Sequence, residues 1–389
     1  MTTIFLFLSV LVVALSRGNL KHRLRVFAKG AGRENLLLMI WIFILAGAFA
    51  NSAKQMGSID DMVNLTLAIV PSSAILAGLF LGAAVISLTV GTSVGTIVAM
   101  MPIAVGIANQ LHEYIPFVAA IIIGGAFFGD NLSFISDTTI CATQSQGCKM
   151  SDKFHTNIRI ALPAAIIVFI VYIFLGNEIS SETVIGEINF WKVLPYLIVL
   201  VAAIAGINVL IVLVSGILFT GLVGIINGDY TILSWSNAMG DGIMGMGELI
   251  IITMLAGGLL EVIRANGGIK FIMDKVLRHV HSQRTAEFSI AFMVSVVDML
   301  TANNTVAIIS VAGISKDIST RYNLDNRRVA SILDTFSCIM QGIIPYGAQM
   351  LMGAALASVS SVDIIPYLYY PYVLAIFAIG NIILKKTDK

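Results

Sequence analysis

GGAFFGDNLSFISDTT occupies positions 124–139. It starts as apolar as a lipid-facing helix, then places Asp130, Ser133, Ser136, Asp137, Thr138 and Thr139 within ten residues. The surrounding chain of 389 residues is 58% hydrophobic and 12% charged, with a mean hydropathy of +0.93. An average soluble domain carries about twice that share of charge. Several apolar runs approach the roughly 20 residues that a helix needs to cross a bilayer. Backbone polar groups cannot be left bare in lipid, so the spans must be helices or a closed barrel. The runs lack the alternation of barrel strands. The expected fold class is therefore an all-α polytopic membrane protein.

The net charge of +1 gives no bias toward nucleic acid. The opening MTTIFLFLSVLVVALSRG has its charges after the apolar run, so it reads as a retained span rather than a signal peptide. Cys141, Cys148 and Cys338 form no CxxC and read as small packing residues. His279 and His281 sit in a basic loop without a metal pattern, and no cofactor is expected.

Of the 23 lysines and arginines, all but Lys54 and Lys192 fall in five clusters: 17–33, 149–159, 264–284, 316–328 and 385–389. The positive-inside rule puts these on the cytoplasmic side. The loops near 57–62, 110–115, 177–190 and 227–242 lack Lys and Arg and go outside. The N-terminus is then outside and the C-terminus cytoplasmic.

The chain also resembles itself. LAGAFANSAKQMGSID starts at 45 and LAGGLLEVIRANGGIK at 255, an offset of 210. Thr92 and Thr96 match Thr301 and Thr305 at 209, and Asp130 and Ser133 match Asp334 and Ser337 at 204. Basic and charge-poor loops come in opposite order in the two halves, so the repeats are expected to be inverted in the membrane. That is the mark of many secondary transporters, whose sites lie at the midplane. The expected organisation is a first repeat at 1–176, an external loop and linking helix at 177–206, and a second repeat at 207–389. Each repeat holds about six helical segments, with broken or re-entrant helices at the midplane. One segment is read as a single span over 64–89.

A carboxylate in mid-bilayer costs roughly 2.5–3.5 kcal/mol on insertion scales, so it is a functional candidate by default. Asp130, Asp137, Asp298 and Asp334 qualify, with Glu248 and Glu261 nearer helix ends. Asp130, Ser133 and Asp137 lie at i, i+3 and i+7, as do Asp334, Ser337 and Gln341, each set reading as one helical stripe. A buried polar network that only glues helices together gains well under 1 kcal/mol per bond, too little to explain two carboxylates. GTSVGT (91–96) and TANNT (301–305) read as helix breaks that expose carbonyls to an ion. Hard cations want oxygen, and these segments supply it through Thr92, Ser93, Thr96, Asn303, Asn304 and Thr305. PYGAQ (345–349) reads as a further break. No Lys or Arg is expected inside the bundle. No HExxH, GxSxG, CxxC or P-loop is present, so an enzyme is not expected.

On LAGAFANSAKQMG, GTSVGT, FFGDNLSFISDTT, LAGGLLEVIRANGG and TANNT, the chain resembles the NhaC-type sodium/proton antiporter family over roughly 36–350. The family pattern is close to GDxxSPLSDTT. Phe134 stands where Pro is common, and Val94 where an aromatic is common. The resemblance implies exchange of cytoplasmic Na⁺ for external H⁺ across a prokaryotic inner membrane. Relatives also exchange small organic acids (malate- or lactate-like) or amino acids, and these stay open as substrates, as do Li⁺ and a homodimer. The expected ion site has Asp130 and Asp334 holding Na⁺ or protons. Ser133, Asp137, Thr138, Thr92, Ser93, Thr96, Asn303, Asn304, Thr305, Ser337 and Gln341 surround it, with Asp298, Ser136 and Thr139 behind. Competition there requires a carboxylate whose proton affinity is raised by burial or a neighbouring charge.

Overall fold

The computed structural model describes residues 2–134, 136–179, 186–278 and 280–384. His279, positions 180–185 of the external loop, and Lys385, Lys386 and Lys389 of the last basic cluster lie outside the described residues. Those described form helices and no strand. A first series comprises α1 (Thr2–Leu15), α2 (Leu20–Ala31), α3 (Glu34–Gln55), α4 (Ser58–Ile69), α5 (Ile75–Val90), α6 (Ser93–Gln110), α7 (Ile115–Leu132), α8 (Asp137–Gln146) and α9 (Met150–Gly176). After α10 (Phe190–Ile204) comes a second series. It comprises α11 (Val209–Ile226), α12 (Ile232–Gly245), α13 (Gly247–Ala265), α14 (Gly268–Leu277), α15 (Gln283–Thr301), α16 (Asn304–Arg321), α17 (Asn326–Ile343), α18 (Ala348–Ala357), α19 (Ser361–Ile364) and α20 (Tyr369–Leu384). Eight segments are long and apolar enough to cross a membrane, or nine if the pair bent by 53° near Leu368 is one span. The shorter apolar helices α1 and α10 come in addition. The protein is a multi-pass helical membrane protein.

Backbone conformation ties the two series together. Every described residue with positive φ except Gly206 has a counterpart 210 or 211 positions away: Gly18/Gly228, Gly57/Gly267, Gly91/Ala302, His112/Asn323 and Gly147/Ser358. These residues end or begin helices, so they fix register where apolar sequence cannot. α7 and α17 each hold 18 residues and align at 211 at both ends.

This register corrects the expected pairing of Asp130 with Asp334 at 204, which is seven residues off. Seven residues are close to two helical turns, so such a slip keeps every side chain on its face. At 211, Asp130 corresponds to Gln341 and Asp334 to Ile123. The single stripe through Asp130, Ser133 and Asp137 is corrected too: α7 ends at Leu132, and α8 begins at Asp137. The expected span 64–89 is likewise two helices. Val70 is extended ahead of Pro71, as the residue before proline prefers. The stretches expected as loops at 17–33 and 227–242 contain α2 and most of α12.

α7 is the centre of the bundle: Pro116 through Leu132 are all buried. It lies against α5, α6, α9, α17, α18 and α20. Gly129 lets it approach α5, because a Cβ there would collide with Ser87. The short arms cross between the series. α8 packs on α16 and α17, and α18 packs on α6 and α7. Polar breaks from both series are thereby brought to one place. The outer helices turn apolar side chains outward, such as Ile211, Leu218 and Leu222 of α11, as lipid contact requires.

Gly129→Ala should force α5 and α7 apart at a cost of about 1–3 kcal/mol, the range for overpacking a tight core. Its melting temperature in detergent should fall. Gly240→Ala, where an added Cβ meets nothing within 4 Å, should leave it unchanged; equal behaviour of the two variants would contradict the packing described.

Candidate ion-binding site

Four helix breaks converge in the core. Between α5 and α6, Gly91 is left-handed (φ 71°) and Thr92 is extended. Between α15 and α16, Ala302 takes the same conformation (φ 49°), and Asn303 caps α16 by accepting from the Val306 N–H at 2.9 Å. The other two breaks, 133–136 and 344–347, separate α7 from α8 and α17 from α18. Each leaves backbone donors and acceptors without helical partners.

Asp130, 4% exposed, faces the α5–α6 break. Its Oδ1 accepts from the Ser93 N–H at 3.1 Å, so the carboxylate sits on the positive end of α6. The Ser93 hydroxyl accepts from Gln349 Nε2 at 3.0 Å. Gln341 Nε2 donates to Gln349 Oε1 at 2.9 Å and to the Ala302 carbonyl at 3.1 Å. A polar chain thus runs from Asp130 through both series to the α15–α16 break.

Asp334 is fully buried on α17. Its Oδ2 meets Lys153 Nζ at 2.9 Å and accepts from Asn157 Nδ2 at 2.8 Å. Lys153, also fully buried, further donates to the Asn131 carbonyl at 2.8 Å and to Thr139 Oγ1 at 2.6 Å. Asn157 Nδ2 shares that Asn131 carbonyl at 3.0 Å. The ammonium therefore ties the α7 terminus, the α8 start and α17 together, one residue from Asp130. Asp130 is within electrostatic reach of both Asp334 and Asp137.

The other expected residues differ in what they do. Ser133, Ser136 and Thr139 are buried and bond backbone carbonyls around the break: Ser133 Oγ donates to Leu88 O at 3.1 Å, Ser136 Oγ to Asp130 O at 3.0 Å, and Thr139 Oγ1 to Ser133 O at 2.8 Å. Ser337, also buried, donates within α17 to Asp334 O at 3.0 Å. Thr138 lies beside Asp334. Thr96 turns its hydroxyl back to the Thr92 carbonyl at 3.1 Å. Asn303, Asn304 and Thr305 are occupied with their own helix start: Asn304 Oδ1 accepts from the Thr305 N–H at 2.9 Å, and Asn303 Nδ2 lies 3.8 Å from Met39 Sδ. None of these three bonds either central carboxylate among the described residues. Asp137 is exposed at the start of α8. Asp298 is buried, but its carboxylate bonds none of the expected partners.

Lys153 overturns the expectation that no cation lies inside the bundle. It stood in a basic cluster whose other members, Lys149 and Arg159, are exposed, and the cluster masked it. Asn157 is one turn further along α9 and inward like Lys153; that i, i+4 polar pair was the available signal. Gln349, Asn131 and Ser331 were missed as well. Among the described residues, no three His, Cys, Asp or Glu side chains converge as they would for a resident metal.

Two buried carboxylates, a buried ammonium paired with one of them, and helix breaks at the crossing of two helical series fit a secondary active transporter. The chain belongs to the Na⁺/H⁺ antiporter family, whose model matches residues 1–177 and again 178–386. Its transported substrates are Na⁺ and H⁺. It is similar to the Na(+)/H(+) antiporter NhaC of Bacillus subtilis, at 24% identity over 88% of this chain and 82% of that protein. NhaC of Alkalihalophilus pseudofirmus is also 24% identical, over 86% of this chain and 79% of its own. The malate-2H(+)/Na(+)-lactate antiporter of B. subtilis is 22% identical, over 88% and 80%.

Lys153→Met strands Asp334 and should cost about 3–5 kcal/mol of stability, as for other broken buried pairs. Adding Asp334→Asn removes the stranded charge and should recover most of the loss. Unfolding in detergent measures both; a double variant no more stable than Lys153→Met would contradict the pairing.

Proposed function

We propose that Na⁺ and protons compete for the Asp130 and Asp334 carboxylates, and that Lys153 neutralises Asp334 when Na⁺ is absent. The observation that carries this reading is the Lys153–Asp334 pair, fully buried and adjacent to Asp130. Na⁺ would draw its oxygens from Asp130, Asp334 and the hydroxyls and carbonyls of the breaks, a donor set suited to a hard cation. The arrival of a second cation makes the ammonium unfavourable there, which couples ion binding to movement of α9 against α17. Alternating access then comes from one helical series moving against the other. The opposite order of basic loops in the two halves favours an inverted arrangement. The same charges favour an N-terminus outside and a cytoplasmic C-terminus, and the bacterial relatives favour a bacterial inner membrane.

The alternative is a sodium-coupled carrier of small carboxylates or amino acids, as the name of the malate–lactate relative suggests. Lys153 argues against it. An ammonium has three donors, and all three are taken by Asp334, Asn131 and Thr139. None is left to clamp a substrate carboxylate.

Inside-out vesicles test both. Na⁺ added to respiring vesicles should dissipate ΔpH, Li⁺ less or equally, and K⁺ not at all. Asp130→Asn and Asp334→Asn should each reduce the rate at least about tenfold, equivalent to about 1.4 kcal/mol in the activation free energy. Wild-type exchange in either variant would remove that residue from the site. Labelled malate, lactate or amino-acid uptake that requires Na⁺ would establish the alternative.

A further inference from the structure

Asp298 takes no part in the site just described, yet among the described residues it is a buried acid with both carboxylate oxygens unpartnered. It lies on α15, three residues before the helix ends, and is fully buried. Neither carboxylate oxygen has a hydrogen-bond partner among the described residues. The groups around it are neutral or engaged elsewhere. Its titratable neighbours are Cys338 on α17 and Tyr346 in the following break. The Tyr346 hydroxyl donates instead to the Met299 carbonyl at 2.7 Å. Thr301 Oγ1 bonds main-chain oxygens, Asn303 O at 3.1 Å and Asp298 O at 3.4 Å. On α16, Asn303 and Asn304 cap their own helix. The charges further along α15 and α17, Glu287 and Arg328, hold each other and Asn381 of α20. On α13, Glu261 is paired with Arg33.

Packing alone does not call for an acid at this place. At the offset of 211 shared by the C-terminal ends of α5 and α15, Asp298 corresponds to Ser87 and Ser337 to Ala126. Ser87 is fully buried, and its hydroxyl donates to the Ala126 carbonyl at 2.6 Å. The first series therefore satisfies the same position with a hydroxyl. The second places there a carboxylate that bonds nothing. An ionised carboxylate without a partner is strongly disfavoured in such surroundings, and one proton neutralises it. Binding a hard cation instead would take about six oxygens, and among the described residues no cluster of three acidic, histidine or cysteine side chains forms around Asp298.

Asp298 is nevertheless connected to the central site. Its carbonyl accepts from the Ala302 N–H at 2.7 Å, and the Ala302 carbonyl accepts from Gln341, the first member of the chain through Gln349 and Ser93 to Asp130. Any change at Asp130 that moves this chain moves the left-handed turn at Ala302 and the end of α15.

We infer that Asp298 is a second proton-carrying site, separate from the carboxylates that bind Na⁺, and that it adds one proton to each transport cycle. The inference rests on the antiport reading but not on which residues ligate Na⁺. The proton exchanges with water when the α15–α16 break opens and is enclosed when it closes. One more positive charge then crosses with the protons than without Asp298.

The test uses purified protein in proteoliposomes. The H⁺:Na⁺ ratio is read from the ΔpH at which an imposed Na⁺ gradient gives no net flux. Asp298→Ser, which copies the residue type of Ser87, and Asp298→Asn should retain exchange, with a ratio lower by one proton. An unchanged ratio in either active variant overturns the proposal. Should neither variant transport, proton uptake by the purified protein between about pH 9 and 5 decides: wild type must take up one proton more than Asp298→Ser. Equal uptake also overturns it. Absence of Na⁺-driven proton flux in wild type would refute the antiport reading itself, whereas the proton count on the purified protein does not depend on that flux.

Discussion

A helix that stops inside a membrane strands backbone donors and acceptors where no water can reach them, and here four helices stop in one place. The site is built from the answers to that constraint. Asp130 accepts from the Ser93 N–H. Gln341 supplies a donor to the Ala302 carbonyl. Lys153 and Asn157 serve the Asn131 carbonyl, while Ser133, Ser136 and Thr139 serve Leu88, Asp130 and Ser133. Each polar side chain has a structural duty at a break, and the same oxygens and nitrogens are thereby concentrated where an ion can be bound without water.

That double duty explains why the centre is electrically lopsided although its frame is repeated. Gly91 and Ala302 make the same turn, as do Gly147 and Ser358. The charges do not repeat: at the constant offset, Asp130 faces Gln341, Lys153 faces Ile364, and Asp334 faces Ile123. A duplicated backbone provides two sets of breaks, but among the described residues a single Lys–Asp pair spans them. One carboxylate of the pair of acids is thus already neutralised by the protein, and Asp130 is held by the α6 terminus instead.

The membrane class, the helix breaks at GTSVGT, TANNT and PYGAQ, and the two central aspartates were legible from the sequence because each rests on a local rule. Gly and short polar residues interrupt apolar helices, and carboxylates rarely enter lipid. Register between the halves was not legible, because a seven-residue slip leaves an apolar face unchanged; only left-handed residues such as His112 and Asn323 resolve it, and nothing in a sequence announces a left-handed histidine. Lys153 was hidden for a related reason. Counting cations per loop places a cluster on one side of the membrane but does not say which member turns inward. The passive state of Asn304 and Thr305 could not be foreseen either, since a side chain that can ligand an ion can equally cap its own helix.

The Lys153–Asp334 pair also bears on how the protein is made. Roughly 180 residues separate the two, which at about 5–20 residues per second is some 10–40 s of synthesis. Throughout that interval the ammonium has no carboxylate to meet. Its position in the first turn of α9 resolves the difficulty, because a long side chain near a helix end can reach back to the aqueous interface while the membrane segment is already in place. An ammonium at the middle of α9 would have no such refuge. The pair therefore closes only when α17 arrives, and its closure fastens the earlier half of the chain to the later one.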